Sequence, residues 1–318
     1  LPIRSCTLPE PFPIHYHEHG DRDMSFQILT DTSSNLPLSR VAEANVQLVP
    51  FSYYPKDDES RLMQCTDIEH FDGKAYYDEI LDGRLYNTSQ IAPQTYFDFI
   101  APYAQQGQDV LYIGMSSGIS GSYHSAVIAK GMLEEAYPER KFYMLDTKAA
   151  SLGEGIVVLK AIELRAQGMD IDACYRELTE MSKRMYQVFT VDNLRHLQRT
   201  GRLSNASCII GTVLHIKPIL KGNEEGKIVS TEKVRGSGKA LRRLAERYRE
   251  LVRNPQEQIV GIAHANNPEG AALLAGLIRE EAAPKEILTV CYEPVTGAHV
   301  GPGTVALFFL GDEDVRSH

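Results

Sequence analysis

Residues 112–126 read YIGMSSGISGSYHSA, a serine- and glycine-rich run between an apolar stretch and a helix-like one. Two chemistries compete for it. Gly114-Met115-Ser116-Ser117-Gly118 fits G-x-S-x-G after a strand and before a helix, the turn that exposes a nucleophilic serine. Asp146 and His299 follow in the Ser, Asp, His order of α/β-hydrolases. A nucleophile elbow, however, starts its helix at once, and here Gly118-Ile119-Ser120-Gly121 intervenes. The second chemistry is anion holding. Serine hydroxyls and backbone N–H groups converging on the start of a helix over 122–137 suit a carboxylate or a phosphate. N-capping by Ser120 or Ser122 accounts for one serine and leaves the rest unexplained.

The elements that must carry these residues alternate. FQILTD ends at Asp31, VQLVPFSYY follows a helix-like LSRVAEAN, DVLYIGM precedes the serine run, and KFYMLD ends at Asp146. Short apolar runs alternating with periodic stretches predict a mostly parallel sheet covered by helices. Such sheets hold ligands beyond the carboxyl ends of their strands, where Asp31-Thr32-Ser33-Ser34, Ser116-Ser117 and Asp146-Thr147 fall. Helices are expected over 154–167 and 171–184. From about residue 185 the character changes to YQVFTVD, ILKGNEEGKIVSTEKV with a hairpin signal at NEEG, EQIVGIAHA, EILTVCYE and GTVALFFLG. The expected organisation is therefore an N-terminal extension over 1–23, an α/β domain over 24–184 and a second α/β domain over 185–318. A helix around Leu241, Leu244, Ala245, Tyr248 and Leu251 has a basic opposite face of Lys239, Arg242, Arg243, Arg247 and Arg249, read as solvated. Residues 56–73 are polar and aperiodic and read as a long surface loop.

Composition narrows the function classes. The 318 residues, 43% of them hydrophobic, can bury the cores of two domains. A net charge of -9 gives no electrostatic footprint for nucleic acid. Cys6, Cys65, Cys174, Cys208 and Cys291 are scattered without a CxxC pair, so neither a disulfide framework nor a zinc site is expected, and the chain reads as cytoplasmic. The longest apolar runs, such as 304–310, fall far short of the roughly 20 residues that span a bilayer. His15, His17 and His19 alternate in a proline-rich leader that reads as a tail, with Met24 as the expected natural start.

FQILTDTSSNLP, YNTSQIAP, YIGMSSGISGSYHSA, YMLDTKAASLGEG, NLRHLQRTGRLSNASCIIGTVLHIKPIL, GKIVSTEKVRGSGKAL, HANNPEGA and GAHVGPGTVALFF occur in the order and at about the spacing of the DegV family of fatty-acid-binding proteins, which the chain resembles from Met24 to about Gly311. The resemblance implies one buried long-chain fatty acid, its tail inside the first domain and its carboxylate at the domain junction. It also implies a carrier, not an enzyme, that presents the acid to a separate ATP-dependent fatty-acid kinase subunit for acyl-phosphate formation. No metal or cofactor is implied, and contact with a membrane would be transient. Carried over by position, the carboxylate contacts fall on Thr88, Ser120 and His299, with Ser117 and Gly121 in the same loop. Arg202 and Arg235 fall near the exposed head group and the partner's docking surface. A cationic His299 would add a charge-assisted bond, and the glycines around it would let backbone approach a ligand. Thr200 and His215 depart from the family pattern on that docking surface.

Burying about 15 methylenes at roughly 0.8 kcal/mol each supplies about 12 kcal/mol, against about 1 kcal/mol for a neutral hydrogen bond. The tail is thus expected to set affinity and the polar residues orientation. Candidate tunnel residues are Ile28, Phe51, Ile113, Ile119, Tyr123 and Val127. Two other classes stay open on the motifs alone: a serine hydrolase of Ser116, Asp146 and His299, and a small-anion module without lipid.

Overall fold

The six residues Phe26–Asp31 (β1) are all buried, and their apolar character suits a strand covered on both faces. A computed structural model describes residues 26–204 and 216–318. The leader with its three histidines and Met24, as well as Cys6, Cys208 and His215, lies outside the described residues. β1 sits inside a four-stranded parallel sheet of order β2-β1-β6-β7, with Val46–Val49 (β2), Asp109–Gly114 (β6) and Phe142–Asp146 (β7). Pro93–Gln105 (α3) packs on Ser122–Ala136 (α4), and Leu152–Ala166 (α5) on Ile171–Lys183 (α6); both pairs contact the sheet.

The run 46–54 does not stay one strand. Pro50 lacks the N–H needed to extend a ladder, and the Phe51 N–H donates instead to Thr32 Oγ1 at 3.1 Å. Ser52–Pro55 (β3) leaves to form a separate antiparallel sheet, β4-β3-β5, with Met63–Gln64 (β4) and Tyr86–Ser89 (β5). The expected loop over 56–73 therefore contains a strand and the buried Cys65, and it ends where Gly73–Leu81 (α2) begins. The short Leu38–Val41 (α1) links β1 to β2.

After Lys183 a six-stranded sheet follows, of order β10-β9-β8-β13-β11-β12. Its strands are Met185–Thr190 (β8), Ile216–Gly222 (β9), Ile228–Arg235 (β10), Ile259–His264 (β11), Glu286–Cys291 (β12) and Val305–Leu310 (β13). Among the described strands of this sheet only β11 and β12 pair in parallel, so the second half is α/β in content but mostly antiparallel in pairing. Its helices are Arg195–Arg199 (α7), Ser237–Leu251 (α8), Pro268–Ala282 (α9) and Pro294–Val300 (α10). α8 buries Leu241, Leu244, Ala245 and Tyr248. Part of its basic face is paired, since Glu232 of β10 accepts from both Arg243 and Arg247.

The two halves interlock. One hydrophobic cluster runs from Phe26 and Ile113 through Leu152 to Phe189, Leu220 and Phe308. Tyr76 and Tyr77 of α2 donate to the carbonyls of Pro294 and Tyr292 at 2.8 and 3.0 Å. Near the C-terminus, Arg316 donates to the carbonyls of Thr147, Lys148, Ser182 and Met185.

Candidate functional site

The carboxyl ends of β6 and β7 run into the loops 115–121 and 147–151, and a cavity opens beyond them. It encloses about 940 Å3 of atom-free space, its open side included. Met115, Ile119 and Ala150 wall it from the parallel sheet, Phe51 and Thr88 from the three-stranded one, and Phe189, Ile228 and Phe308 from the six-stranded sheet. Walls thus come from both halves of the chain and not from the first alone. Ile28 and Ile113, expected along a tunnel, have no exposed surface and are closed core; Val127 faces outward on α4. Phe51 and Ile119 do line the space, whereas Tyr123 donates to the Met144 carbonyl outside it.

Five of the seven candidate binding residues meet at this cavity: Thr88, Ser120, Gly121, Arg202 and His299. Thr88 Oγ1 and His299 Nε2 lie 3.0 Å apart, bringing β5 against α10. Ser120 Oγ donates to Ser122 Oγ at 3.1 Å and accepts the Ser122 N–H at 3.2 Å. Gly121 is the N-cap of α4, which has no side-chain cap, and its missing Cβ makes room for the Gln90 amide. Arg202 donates to the carbonyls of Ile119 and Thr200 and forms no ion pair among the described residues. Its half-buried guanidinium is therefore a cation with no carboxylate partner among the described residues.

Ser117 and Arg235 stand apart. Ser117 borders a second, polar pocket with His124, Lys227 and Ser204; Ile119, Ser120, Gly121 and Arg202 line both spaces and separate them. Arg235 is exposed at the end of β10 and lines neither.

His299 is not the expected cation. Burial, with Arg202 and Arg199 beside it, pushes its pKa down to about 3, so the imidazole is neutral, and its Nδ1 is buried without a hydrogen-bond partner among the described residues. Glu293 positions it: its carboxylate accepts the N–H groups of Val295 and Thr296, each at 2.6 Å, and so caps α10. The glycines around His299 serve packing. A Cβ on Gly297 would fall 2.1 Å from the Tyr77 hydroxyl, and one on Gly301, at φ 78°, would meet the His196 ring at 2.3 Å.

A hydrolytic triad is not assembled. Ser116 Oγ donates to the Gly226 carbonyl at 2.8 Å and accepts the Gly118 N–H at 3.0 Å. Asp146 accepts from the Ser117 and Lys148 N–H groups and pairs with Lys148 Nζ at 2.9 Å, while His299 is engaged by Thr88. Ser116 instead ties the serine loop to the β9–β10 turn, an approach so close that a Cβ on Gly118 would lie 2.5 Å from the Glu225 carbonyl. Ser116→Ala is expected to cost about 1–3 kcal/mol by leaving the Gly226 carbonyl unpaired, as urea unfolding would measure.

Sequence reasoning did not find Gln90, Gln187, Phe189 or Phe308, which contribute walls. Alternation in the strands bearing Gln187, Phe189 and Phe308 marks which residues share a face, but not which face meets a cavity.

Comparison with known proteins agrees with this architecture. The profile of the family described as an uncharacterised protein, DegV family, matches residues 25–312. A DegV domain-containing protein of Clostridium perfringens is 36% identical over 287 residues, 90% of this chain and 98% of that protein. Among solved structures, the fatty-acid-binding DegV family protein of Streptococcus agalactiae is 29% identical with a TM-score of 0.79, covering 91% of this chain and 99% of that one. DegV of Bacillus subtilis, a fatty acid binding protein, is 29% identical with a TM-score of 0.76 over 91% of this chain and 100% of its own. With a family profile spanning nearly the whole described chain and relatives matched end to end, this protein belongs to the DegV family.

Proposed function

We propose that the chain binds one long-chain fatty acid, its tail in the cavity between the sheets and its carboxylate among Thr88, Ser120, His299 and Arg202, and presents that carboxylate to a fatty-acid kinase subunit for acyl-phosphate formation. The observation that carries the reading is a guanidinium with no ion pair among the described residues, beside two hydroxyls, at a cavity walled on its apolar sides by Phe51, Met115, Ile119, Phe189 and Phe308. Such a site is matched to one terminal anion on a hydrocarbon chain. Fatty-acid binding by the Streptococcus agalactiae and Bacillus subtilis relatives supports it.

A neutral His299 sharpens the chemistry. If Nε2–H donates to Thr88 Oγ1, the Thr88 hydroxyl hydrogen is free for a carboxylate oxygen, and Ser120 can turn its own hydrogen from Ser122 to the other. Arg202 supplies the charge. The polar pocket across Ser120 and Arg202, with Ser117, His124 and Lys227, gives a phosphoryl donor access to the carboxylate while the tail stays buried. Arg235, exposed away from that pocket, is assigned to partner docking by the family resemblance alone. The carrier makes no covalent bond and uses no metal or cofactor of its own, and it works in the cytoplasm.

Denaturing mass spectrometry of an organic extract from purified protein tests the binding step. One equivalent of a long-chain fatty acid is expected, and an extract without lipid overturns the reading. Ser120→Ala is expected to keep lipid bound, with affinity lowered less than about tenfold because one hydrogen bond nets about 1 kcal/mol, yet to impair acyl-phosphate formation by a kinase subunit. A Ser120→Ala protein purified empty of lipid would refute this division of labour.

A further inference from the structure

The carboxyl end of β1 leads into a buried web of acids that the proposed binding chemistry does not use. Asp31, Glu154 and Glu293 have no exposed surface, and none forms an ion pair among the described residues. Ser33 Oγ lies within hydrogen-bonding distance of two carboxyls at once, Asp31 Oδ1 and Glu154 Oε2, the latter at 2.7 Å. A hydroxyl carries one hydrogen and an ionised carboxylate none, so both contacts can be hydrogen bonds only if one carboxyl carries a proton and donates to Ser33.

The remaining partners say which. Asp31 already receives the Ser33 N–H at 2.9 Å, the Tyr112 hydroxyl at 2.7 Å and the Met115 N–H at 3.3 Å, and Tyr96 lies 2.9 Å behind Tyr112. That set suits a carboxylate. Glu154 receives a single hydroxyl, Thr30 Oγ1 at 2.8 Å on Oε1, which leaves Oε2 to carry the hydrogen. We infer that Glu154 is a neutral carboxylic acid at neutral pH, donating to Ser33 while Ser33 donates to an ionised Asp31, and that it is a positioning residue for the ligand-holding loop. Burial and the negative charge of Asp31 act in the same direction, holding the Glu154 pKa well above the ordinary range. The titratable groups that face it are Asp31, Glu293, Tyr96 and Tyr112, all of them acids or phenols.

The route to the site runs through Asp31. Its Oδ2 accepts the N–H of Met115, the first residue of the loop that bears Ser120, while the neighbouring Glu293 caps the helix that bears His299. Ionising Glu154 would set a second negative charge against Asp31 and leave Ser33 shared by two acceptors, loosening the anchor on Met115. This link to the ligand rests on the proposed function; the proton count does not.

The test is urea unfolding of wild type and Glu154→Gln as a function of pH. The folded state holds a proton that the unfolded chain releases near the ordinary glutamate pKa of 4.5, so stability falls as pH rises. Above about pH 5 the wild-type folding constant is expected to fall by up to tenfold more per pH unit than that of Glu154→Gln, which keeps the donor and loses the titration. Asp31→Asn, whose amide would point its NH2 at two other donors whichever way it turned, is expected to lose far more stability at every pH. Parallel pH curves for wild type and Glu154→Gln overturn the inference, as does an Asp31→Asn protein more stable than Glu154→Gln. If the variants do not fold, carboxyl 13C NMR of glutamate-labelled wild type decides: burial pushes the Glu293 pKa up to about 7, so a resonance still at the protonated position at pH 9, where Glu293 has ionised, supports the inference, and its absence refutes it. Where the proton count holds and fatty-acid affinity lacks the same alkaline loss, the failure lies with the proposed binding site.

Discussion

Replacing Ala150 by phenylalanine is expected to weaken binding of a C16 to C18 fatty acid by about two orders of magnitude while leaving shorter chains less affected. Ala150 is a small residue in the wall where the loop after β7 faces Phe189 and Phe308. A benzyl group there occupies the space of roughly four methylenes, and displacing them at about 0.8 kcal/mol each removes about 3 kcal/mol of tail burial. That corresponds to roughly a hundredfold in affinity. Chain-length profiles of bound lipid, measured by competition against a fluorescent fatty acid, would check it. An unchanged profile in a folded Ala150→Phe protein would place the tail elsewhere.

Arg316→Ala is expected to be the most damaging substitution far from the ligand, at about 4 kcal/mol. The guanidinium satisfies four carbonyls in two separate segments: Thr147 and Lys148 beyond β7, and Ser182 and Met185 around the start of β8. Hydrogen bonds to a charged group are worth about 1.5–3 kcal/mol each where burial keeps water from replacing them, and some will be rehydrated in the variant. Burial lowers the Arg316 pKa to about 10, so the group is still charged at neutral pH. Arg316→Lys should recover little, because an ammonium cannot reproduce the planar fork. Urea midpoints of both variants against wild type measure the effect. A loss below about 1 kcal/mol would mean that the four carbonyls find other partners.

The strands that end in polar clusters were legible because alternation of apolar runs and periodic stretches is a local pattern, and β1, β6 and β7 emerge where FQILTD, DVLYIGM and KFYMLD stand. What escaped was set at long range. Pairing direction in the second half depends on which strand returns beside which, so the mostly antiparallel order β10-β9-β8-β13-β11 is not written in any one segment. The division of 46–54 between two sheets turns on Pro50, a residue that only in hindsight outweighs the β-formers around it. α3 was obscured by Pro93 at its start and Pro102 inside it. Thr88, Ser120 and His299 were found by resemblance, and the serine run alone left hydrolase and anion holder unresolved. The charge on His299 was misjudged because its burial is set by tertiary packing, and its neighbours Arg202 and Arg199 lie about 100 residues away in sequence. Arg316 gave no signal at all, since its partners are 131 to 169 residues distant.

The cavity between the sheets means that the cargo would complete the protein's interior. Whatever fills a space walled by Met115 and Ala150 on one side and Phe189 and Phe308 on the other is bound by the folded chain and not by the unfolded one. By mass action a ligand at a hundred times its dissociation constant adds about 2.7 kcal/mol to folding stability. Unfolded chains are what proteases remove, so the steady-state amount of a protein filled in this way would rise and fall with the supply of its ligand. Its abundance would thus report lipid availability without a dedicated sensor.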